Sequence, residues 1–376
     1  MKRDIKFLAY YLPQYYPIPE NDEWWGKGFT EWTNVAKAKP LFKGHYQPIL
    51  PADFGFYDLR VPEVQEAQSE LAMEYGIDGF IYYQYWFGNG KMLLEKPAEV
   101  MLNNKSIKIP FCFCWANETW RGIWHGIENS KVLIEQNYPG IDDYINYFNY
   151  LLPFFNDERY IKINNKPMFY VYRMDSIPDF ETFVSIFNTH AIENGFDGIY
   201  IIATGNINSL NFTDRSEVYG VVGLDLFTSI RYGQKRLFDS KNISGRVESK
   251  IKKTFGYTDN LGRRLKPLVL DYKKTTSKFV ANFTSTKYIQ CVFPNWDNSA
   301  RIGKRAMIFK NPTPEHWQFF LEKAVLELKK NKKNPPFIVI KSWNEWAEGN
   351  YLEPDIKFGH QFLQALKNVK DKLCSQ

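Results

Sequence analysis

The sequence is short of the features that most quickly point to a chemistry. Its five histidines, His45, His125, His190, His316 and His360, fall at no metal-ligand spacing, and its four cysteines, Cys112, Cys114, Cys291 and Cys374, form no disulfide-rich pattern. No catalytic metal and no cofactor are expected. There is no Asp-x-Asp triplet of the kind that metal-dependent nucleotide-sugar transferases usually need. No apolar run approaches the length of a membrane span, so no transmembrane segment is expected. No internal repeat and no RNA-recognition signature occur, and no nucleic-acid partner is expected. The opening MKRDIKFLAYYLPQYYP starts basic, but its apolar stretch is too short for a signal peptide and breaks at Pro13. Cys112 and Cys114 alternate with phenylalanine in PFCFCW, as buried thiols in a strand would. These absences together predict a cytoplasmic chain in a reducing compartment.

Aromatic residues are what the chain has in excess. They make up 17% of the 376 residues, with 24 tyrosines, 30 phenylalanines and 11 tryptophans. Such an excess fills a core, or supplies flat faces with polar edges to a ligand. Eight β-rich runs recur along the chain, at 6–12, 78–87, 110–117, 166–173, 198–205, 223–230, 288–296 and 337–346. Helical periodicity separates several of them, at 62–77, 142–156, 180–195 and 315–331. Alternation that closes at eight predicts an α/β fold, a (β/α)8 TIM barrel with long loops at its C-terminal face. An open dinucleotide-binding sheet is excluded, because the turn after the first strand, YYLPQYYP, has no glycine-rich phosphate loop. Residues 1–376 are expected to form one catalytic domain. A basic insertion at 231–287 holds 15 Lys/Arg against 4 Asp/Glu; against the net charge of +6, its excess of 11 leaves −5 for the rest of the chain. That insertion is either a solvated face or a surface for an anionic glycan or lipid phosphate.

Barrel enzymes carry their reactive groups at the C-terminal ends of the strands. Polar-aromatic clusters fall at five of those ends: Tyr10, Gln14 and Tyr15; Tyr83, Gln84, Tyr85 and Trp86; Trp115, Asn117, Glu118, Trp120 and Arg121; Asn295, Trp296, Asp297 and Asn298; and Asn344, Glu345, Trp346 and Glu348. Aromatic faces accept the apolar faces of pyranose rings while amides and carboxylates match hydroxyls, so the ligand this rim predicts is a sugar. Trp24, Trp25 and Trp32, in a glycine-bearing loop after the first strand, either join that rim or pack their own loop. The stretch KSWNEWAEGNYLEP (341–354) carries two glutamates three residues apart. Crowded into a pocket walled by Trp343 or Trp346, they would be driven to different pKa values, as glycosidic bond cleavage requires of an acid and a base. Glu118 is a further candidate acid, and Glu353 is either a substrate contact or a structural group.

Four segments, YYLPQYYPIPENDEWWGKGFTEWTNV (10–35), FCFCWANETWRGIWHG (111–126), FPNWDNSAR (293–301) and SWNEWAEGNYLEP (342–354), closely resemble the WbsX-like family of lipopolysaccharide-biosynthesis-type proteins. The resemblance runs from about residue 5 to about 370. That family is similar in fold to family 99 glycoside hydrolases, the endo-α-mannosidase group. The resemblance implies a metal-independent (β/α)8 barrel acting on the glycosidic bonds of a polysaccharide or oligosaccharide, such as O-antigen or another bacterial glycan. It implies retention through a 1,2-anhydro-sugar, with Glu345 as the base at a sugar 2-hydroxyl and Glu348 as the acid/base at the glycosidic oxygen. The expected substrate contacts are Tyr10, Gln14, Trp32, Tyr83, Trp86, Trp115, Asn117, Glu118, Trp120, Asn295, Trp296, Asp297, Asn344, Trp346 and Glu353. Where the endo-mannosidases usually carry a histidine in the last element, this chain has Ala347. The alternative activities are a glycosyltransferase or transglycosidase in lipopolysaccharide or O-antigen biosynthesis, and a carbohydrate-binding barrel without catalysis.

Overall fold

The computed structural model describes residues 4–122, 131–205, 215–223, 266–279 and 287–375. Eight parallel strands form its centre: β1 (Lys6–Tyr11), β2 (Gly79–Trp86), β3 (Phe111–Trp115), β4 (Lys166–Val171), β5 (Tyr200–Gly205), β6 (Val218–Gly223), β7 (Tyr288–Val292) and β8 (Phe337–Ile340). Each pairs with the next, and β8 pairs back onto β1 from Lys6 opposite Phe337 to Ala9 opposite Ile340. The sheet is therefore the closed barrel that strand–helix alternation predicts. Strands covered on both faces read as continuous apolar runs, and the GFIYYQYW run of β2 is buried throughout. Large rings fill the interior. Tyr10 stacks on Tyr83 with centroids 5.0 Å apart and meets Tyr170 edge-on at 6.3 Å.

The helices around the barrel are α1 (Pro62–Glu74), α2 (Lys96–Asn103), α3 (Ile141–Asn156), α4 (Phe180–Glu193), α5 (Tyr272–Phe279), α6 (Pro314–Lys330) and α7 (Gln361–Ser375). All four helices expected from periodicity are present as α1, α3, α4 and α6. Three have side-chain caps: Asp179 accepts from the Thr182 amide at 3.1 Å, Asp271 from the Lys274 amide at 3.0 Å, and Thr313 from the His316 amide at 3.3 Å. Helix α6 buries Trp317, Phe320, Leu321, Ala324, Val325 and Leu328, the i, i+3, i+4 stripe of its sequence. At the opposite end of the barrel from the site, the buried Arg159 guanidinium donates to the carbonyls of Met101, Asn104 and Ile107 and to Asp157, closing the end of α2. Lys370 of α7 donates to the Asp78 carboxylate (2.5 Å) and the Ile5 carbonyl (3.2 Å), fastening the last helix beneath β1 and β2.

One strand lies away from its expected place. The sixth was expected at 223–230; it is Val218–Gly223, and 224–230 fall outside the described residues. Two glycines in VYGVVG weaken its strand signal, yet the packing requires them. A Cβ on Gly220 would sit 2.5 Å from Ile289 Cδ1, and one on Gly223 would sit 2.7 Å from the Tyr288 hydroxyl, so small residues let β6 lie against β7. The third, seventh and eighth strands stop at Trp115, Val292 and Ile340, and the polar residues expected at their ends stand in loops. Of the basic insertion, 266–279 adds a short strand, Leu268–Asp271, parallel to Met307–Lys310, followed by α5; 231–265 and 280–286 lie outside the described residues. No helix among the described residues is long and apolar enough to cross a membrane.

Candidate active site

A cleft with about 850 Å³ of unfilled space, part of it open to solvent, lies at the C-terminal ends of the strands. Trp25, Tyr83, Tyr85, Trp120 and Tyr172 form its aromatic walls, with Leu12, Ala116 and Leu133 between them. Its polar lining is Gln14, Glu118, Arg121, Arg301, Lys341, Glu345 and Glu348. Tyr85 and Trp120 meet edge-to-face with centroids 5.1 Å apart, and Trp24 braces Trp120 at 6.0 Å.

The two central glutamates stand on a small hairpin that follows β8. Asn344–Glu345 pairs antiparallel with Asn350–Tyr351, and a 3-10 turn at Trp346–Glu348 closes it. Internal hydrogen bonds fix this hairpin. The Ser342 hydroxyl donates to the Asn350 carbonyl (2.6 Å) and accepts from the Glu345 amide (3.1 Å). The Asn344 side chain accepts from the Leu12 amide (2.7 Å) and donates to the Leu12 carbonyl (3.0 Å), which locks the hairpin to the end of β1. Gly349 turns the chain at φ +54°, where a Cβ would fall 2.7 Å from the Asp297 carbonyl oxygen. That close approach is held by the Asp297 amide donating to the Glu348 carbonyl at 2.8 Å. Only glycine fits both the left-handed conformation and the contact.

Five side chains make a row of alternating charge across the floor. Glu31, buried at the start of a short helix (Glu31–Ala36) between β1 and β2, meets Arg301 at 3.2 Å; Arg301 meets Glu348 at 2.7 Å; Lys341 lies 3.7 Å from Glu348 and 2.7 Å from Glu345. Lys341 Nζ also lies 3.4 Å from the Tyr83 hydroxyl, and over the rings of Tyr83 and Trp296 at 5.8 and 5.7 Å. The two central carboxyls are driven apart. Burial pushes Glu345 up to about 7, only partly offset by Lys341. Burial also raises Glu348, but Arg301 and Lys341 outweigh it and hold that carboxyl below its ordinary value. Burial disfavours the charge on Arg301 and Lys341, yet their glutamate partners more than compensate, and both cations are held more firmly protonated than usual. Glu31 is raised by burial, with Arg301 opposing. At the opposite wall Glu118 pairs with Arg173 at 2.6 Å. The floor can thus keep one carboxyl protonated beside one ionised.

The expected site residues divide into a lining and a layer behind it. Gln14, Tyr83, Glu118, Trp120, Glu345 and Glu348 line the cleft. The others stand behind. Tyr10 is covered by Tyr83. The Trp32 indole donates to the Tyr57 carbonyl (2.8 Å), Trp86 donates to Asp143 (2.9 Å), and Trp115 donates to the Trp86 carbonyl (2.9 Å). Asn117 bonds Tyr138 and the backbone of Arg173. Asn295 accepts from the Tyr351 amide (3.1 Å), and Asp297 accepts from Gln47 (2.8 Å) and meets His45 (2.7 Å). Asn344 bonds Leu12, and Trp296 is buried over Lys341. Trp346 stacks on Tyr351 at 4.0 Å, and Trp343 is fully buried against Phe80, so neither walls the pocket as expected. Glu353 is likewise away from the lining: it accepts from Tyr57 (2.8 Å), Gln68 (2.6 Å) and Trp346 (2.5 Å), and burial pushes it up to about 7. His125 lies outside the described residues. Tyr172, Arg301 and Lys341 were not anticipated as site residues. Arg301 ends FPNWDNSAR and Lys341 opens KSWNEW, so the signal for both is a basic residue in the same segments as glutamates that need a cation once buried.

The family model described as Glycosyltransferase WbsX matches residues 7–366. Proteins named WxcX from two strains of Xanthomonas campestris pv. campestris are each 33% identical over 377 residues, covering 98% of this chain and 51% of their own. The chain therefore spans about half the length of these curated relatives. Among solved structures, a GH99 endo-alpha-mannosidase from Bacteroides thetaiotaomicron in complex with BIS-TRIS-propane superposes with a TM-score of 0.59 at 13% identity, covering 99% of this chain and 98% of that one. A glycoside hydrolase-like protein superposes with a TM-score of 0.56 at 13% identity, over 98% and 94% of the two chains. At that identity the likeness is one of fold.

Proposed function

Since the chain belongs to the Glycosyltransferase WbsX family and has the fold of a GH99 endo-alpha-mannosidase, we propose that it is a retaining glycoside hydrolase acting on a bacterial polysaccharide or oligosaccharide. The observation that carries this reading is the Glu345–Glu348 pair, with one carboxyl pushed up and its neighbour held down on the floor of an aromatic-walled cleft. Trp25, Trp120 and the cleft tyrosines would stack on sugar faces, and Gln14, Arg121 and Glu118 would meet hydroxyls.

The route is through a 1,2-anhydro-sugar. One carboxylate takes the proton of the sugar 2-hydroxyl as that oxygen attacks the anomeric carbon from the face opposite the leaving group. The partner carboxyl gives its proton to the departing glycosidic oxygen. Water then opens the three-membered ring, with both proton transfers reversed, and two inversions give net retention. Glu345 is assigned the 2-hydroxyl and Glu348 the glycosidic oxygen. Burial favours the proton on Glu345, whereas the assigned roles need it on Glu348, so catalysis calls for a transfer between neighbouring carboxyls that leaves the total charge unchanged. The basic 231–287 stretch is assigned to an anionic part of the glycan or its lipid carrier.

The alternative, favoured by the family's description, is transfer of a sugar to an acceptor by the same glutamates. Purified protein offered a panel of O-antigen-type polysaccharides, with and without nucleotide sugars, separates the two. Shortened products without a donor are expected; elongation that requires a nucleotide sugar would overturn hydrolysis. Glu345→Gln and Glu348→Gln are each expected to lower turnover by about a thousandfold or more while leaving the circular dichroism spectrum unchanged.

A further inference from the structure

We propose that Lys341 is a positioning residue that sets which of the two glutamates is ionised, by bridging both carboxylates from the end of β8. The inference rests on the acid/base reading of the pair, and goes beyond it by assigning the control to a third side chain.

The geometry is specific. Glu348 already has a strong partner in Arg301 at 2.7 Å, and Arg301 is itself anchored by the buried Glu31. Among the described residues the cation in contact with Glu345 is Lys341 at 2.7 Å, which also lies 3.7 Å from Glu348. Lysine is thus the one member of the row placed between the two reacting carboxyls. Its ammonium is a compact charge on a flexible stem, so it can follow an anion across about 1 Å at little cost, which the planar Arg301 fork cannot. Its surroundings hold that charge in place. The Tyr83 hydroxyl lies at 3.4 Å, and the Tyr83 and Trp296 rings offer their faces. The other titratable groups that feel it are Arg301, which opposes it, and the thiols of buried Cys114 and half-buried Cys291, both raised by desolvation and eased downward by the lysine. None of these supplies a second mobile cation to Glu345.

The consequence is a coupled movement of one proton and one cation. When the proton rests on Glu345, Lys341 adds to Arg301 in holding Glu348 as the anion. When the proton passes to Glu348, Lys341 keeps its 2.7 Å contact with Glu345 as an ion pair and readies it to accept from a hydroxyl. Removing the lysine takes away the cation in contact with Glu345 and leaves the more distant Arg301 to oppose burial, so the proton is held there more tightly and less of the base forms at neutral pH.

The test is direct titration of the pair. Protein labelled with 13C at the glutamate side-chain carboxyl carbon is titrated by NMR, with Glu345→Gln and Glu348→Gln spectra assigning the two resonances. Lys341→Met is expected to raise the Glu345 midpoint by at least one pH unit and to move Glu348 less. Lys341→Arg is expected to restore most of the wild-type midpoint. If turnover is found, the acidic limb of its pH profile moves up by the same interval in Lys341→Met and returns in Lys341→Arg. An unmoved Glu345 midpoint in folded Lys341→Met overturns the proposal whatever the activity. A moved midpoint in a protein whose wild type cleaves and transfers no glycan would leave Lys341 in control of the pair and instead remove the glycosidic reading. Should Lys341→Met not fold, Lys341→Gln gives the same comparison with a polar head retained.

Discussion

Glu353 is 2% exposed and accepts three side-chain hydrogen bonds, yet burial raises its carboxyl from 4.5 to about 7. A carboxyl raised on folding takes up a proton between those two values, so stability is full below pH 4.5, falls as pH rises to about 7, and levels off above. Each unit is worth about 1.4 kcal/mol, or roughly 3 kcal/mol across the window. Glu345 contributes with the same sign. Glu353→Gln is therefore expected to flatten about half of the loss in urea midpoint between pH 5 and pH 8; an unchanged slope would mean that Glu353 is ionised throughout. At this scale the sequence announced its carboxylates and concealed their partners. Spacing and neighbouring tryptophans point to Glu345 and Glu348, because reacting groups are rare residue types in a conspicuous setting. Arg301 and Lys341 are ordinary residues whose meaning comes from distances of 2.7 Å created by the fold. For the same reason Trp346 reads as a sugar platform and proves to be the plate that stacks on Tyr351 and binds Glu353.

The element that matters most is the hairpin of residues 342–351. It carries both glutamates, and its rigidity comes from Ser342 and Asn344 inside it and from Gly349 against the β7 loop. Gly349→Ala forces an alanine to φ +54° with its Cβ 2.7 Å from a backbone oxygen. The expected cost is about 3 kcal/mol in stability, with turnover falling at least tenfold as Glu348 is displaced. Thermal melts and kinetics measure both; a variant that keeps wild-type turnover would show that the hairpin tolerates movement. Elements with uniform apolar runs, β2 and β3 above all, were legible from sequence because double burial writes itself into every position. β6 was misplaced by a few residues, since its glycines answer to the side chains of Ile289 and Tyr288 more than 60 residues away. Leu133, in a short strand outside the barrel, lines the cleft only because the chain returns there, which no local pattern records.

For the whole molecule, barrel closure was foreseeable from the count of eight, and the charge layout raises the next question. The described cleft balances its cations with carboxylates, whereas 231–287 carries an excess of 11 positive charges. If that stretch meets an anionic glycan, KM rises steeply with salt in the wild type. Replacing Lys250, Lys252 and Lys253 with glutamine is expected to flatten that dependence while sparing kcat. Identical salt curves would remove the assignment.

The row from Glu31 to Glu345 gives that division of labour a physical basis. Charges that alternate every few ångströms cancel as multipoles, and their field dies away well inside a Debye length of about 8 Å in physiological salt. From the solution side the cleft is nearly silent: it neither draws in a distant anion nor turns one away. Only a glycan already seated on the aromatic walls would feel individual ions, at full strength and in low dielectric. Capture and discrimination can then be tuned separately, one by long-range charge elsewhere on the chain, the other by contact alone.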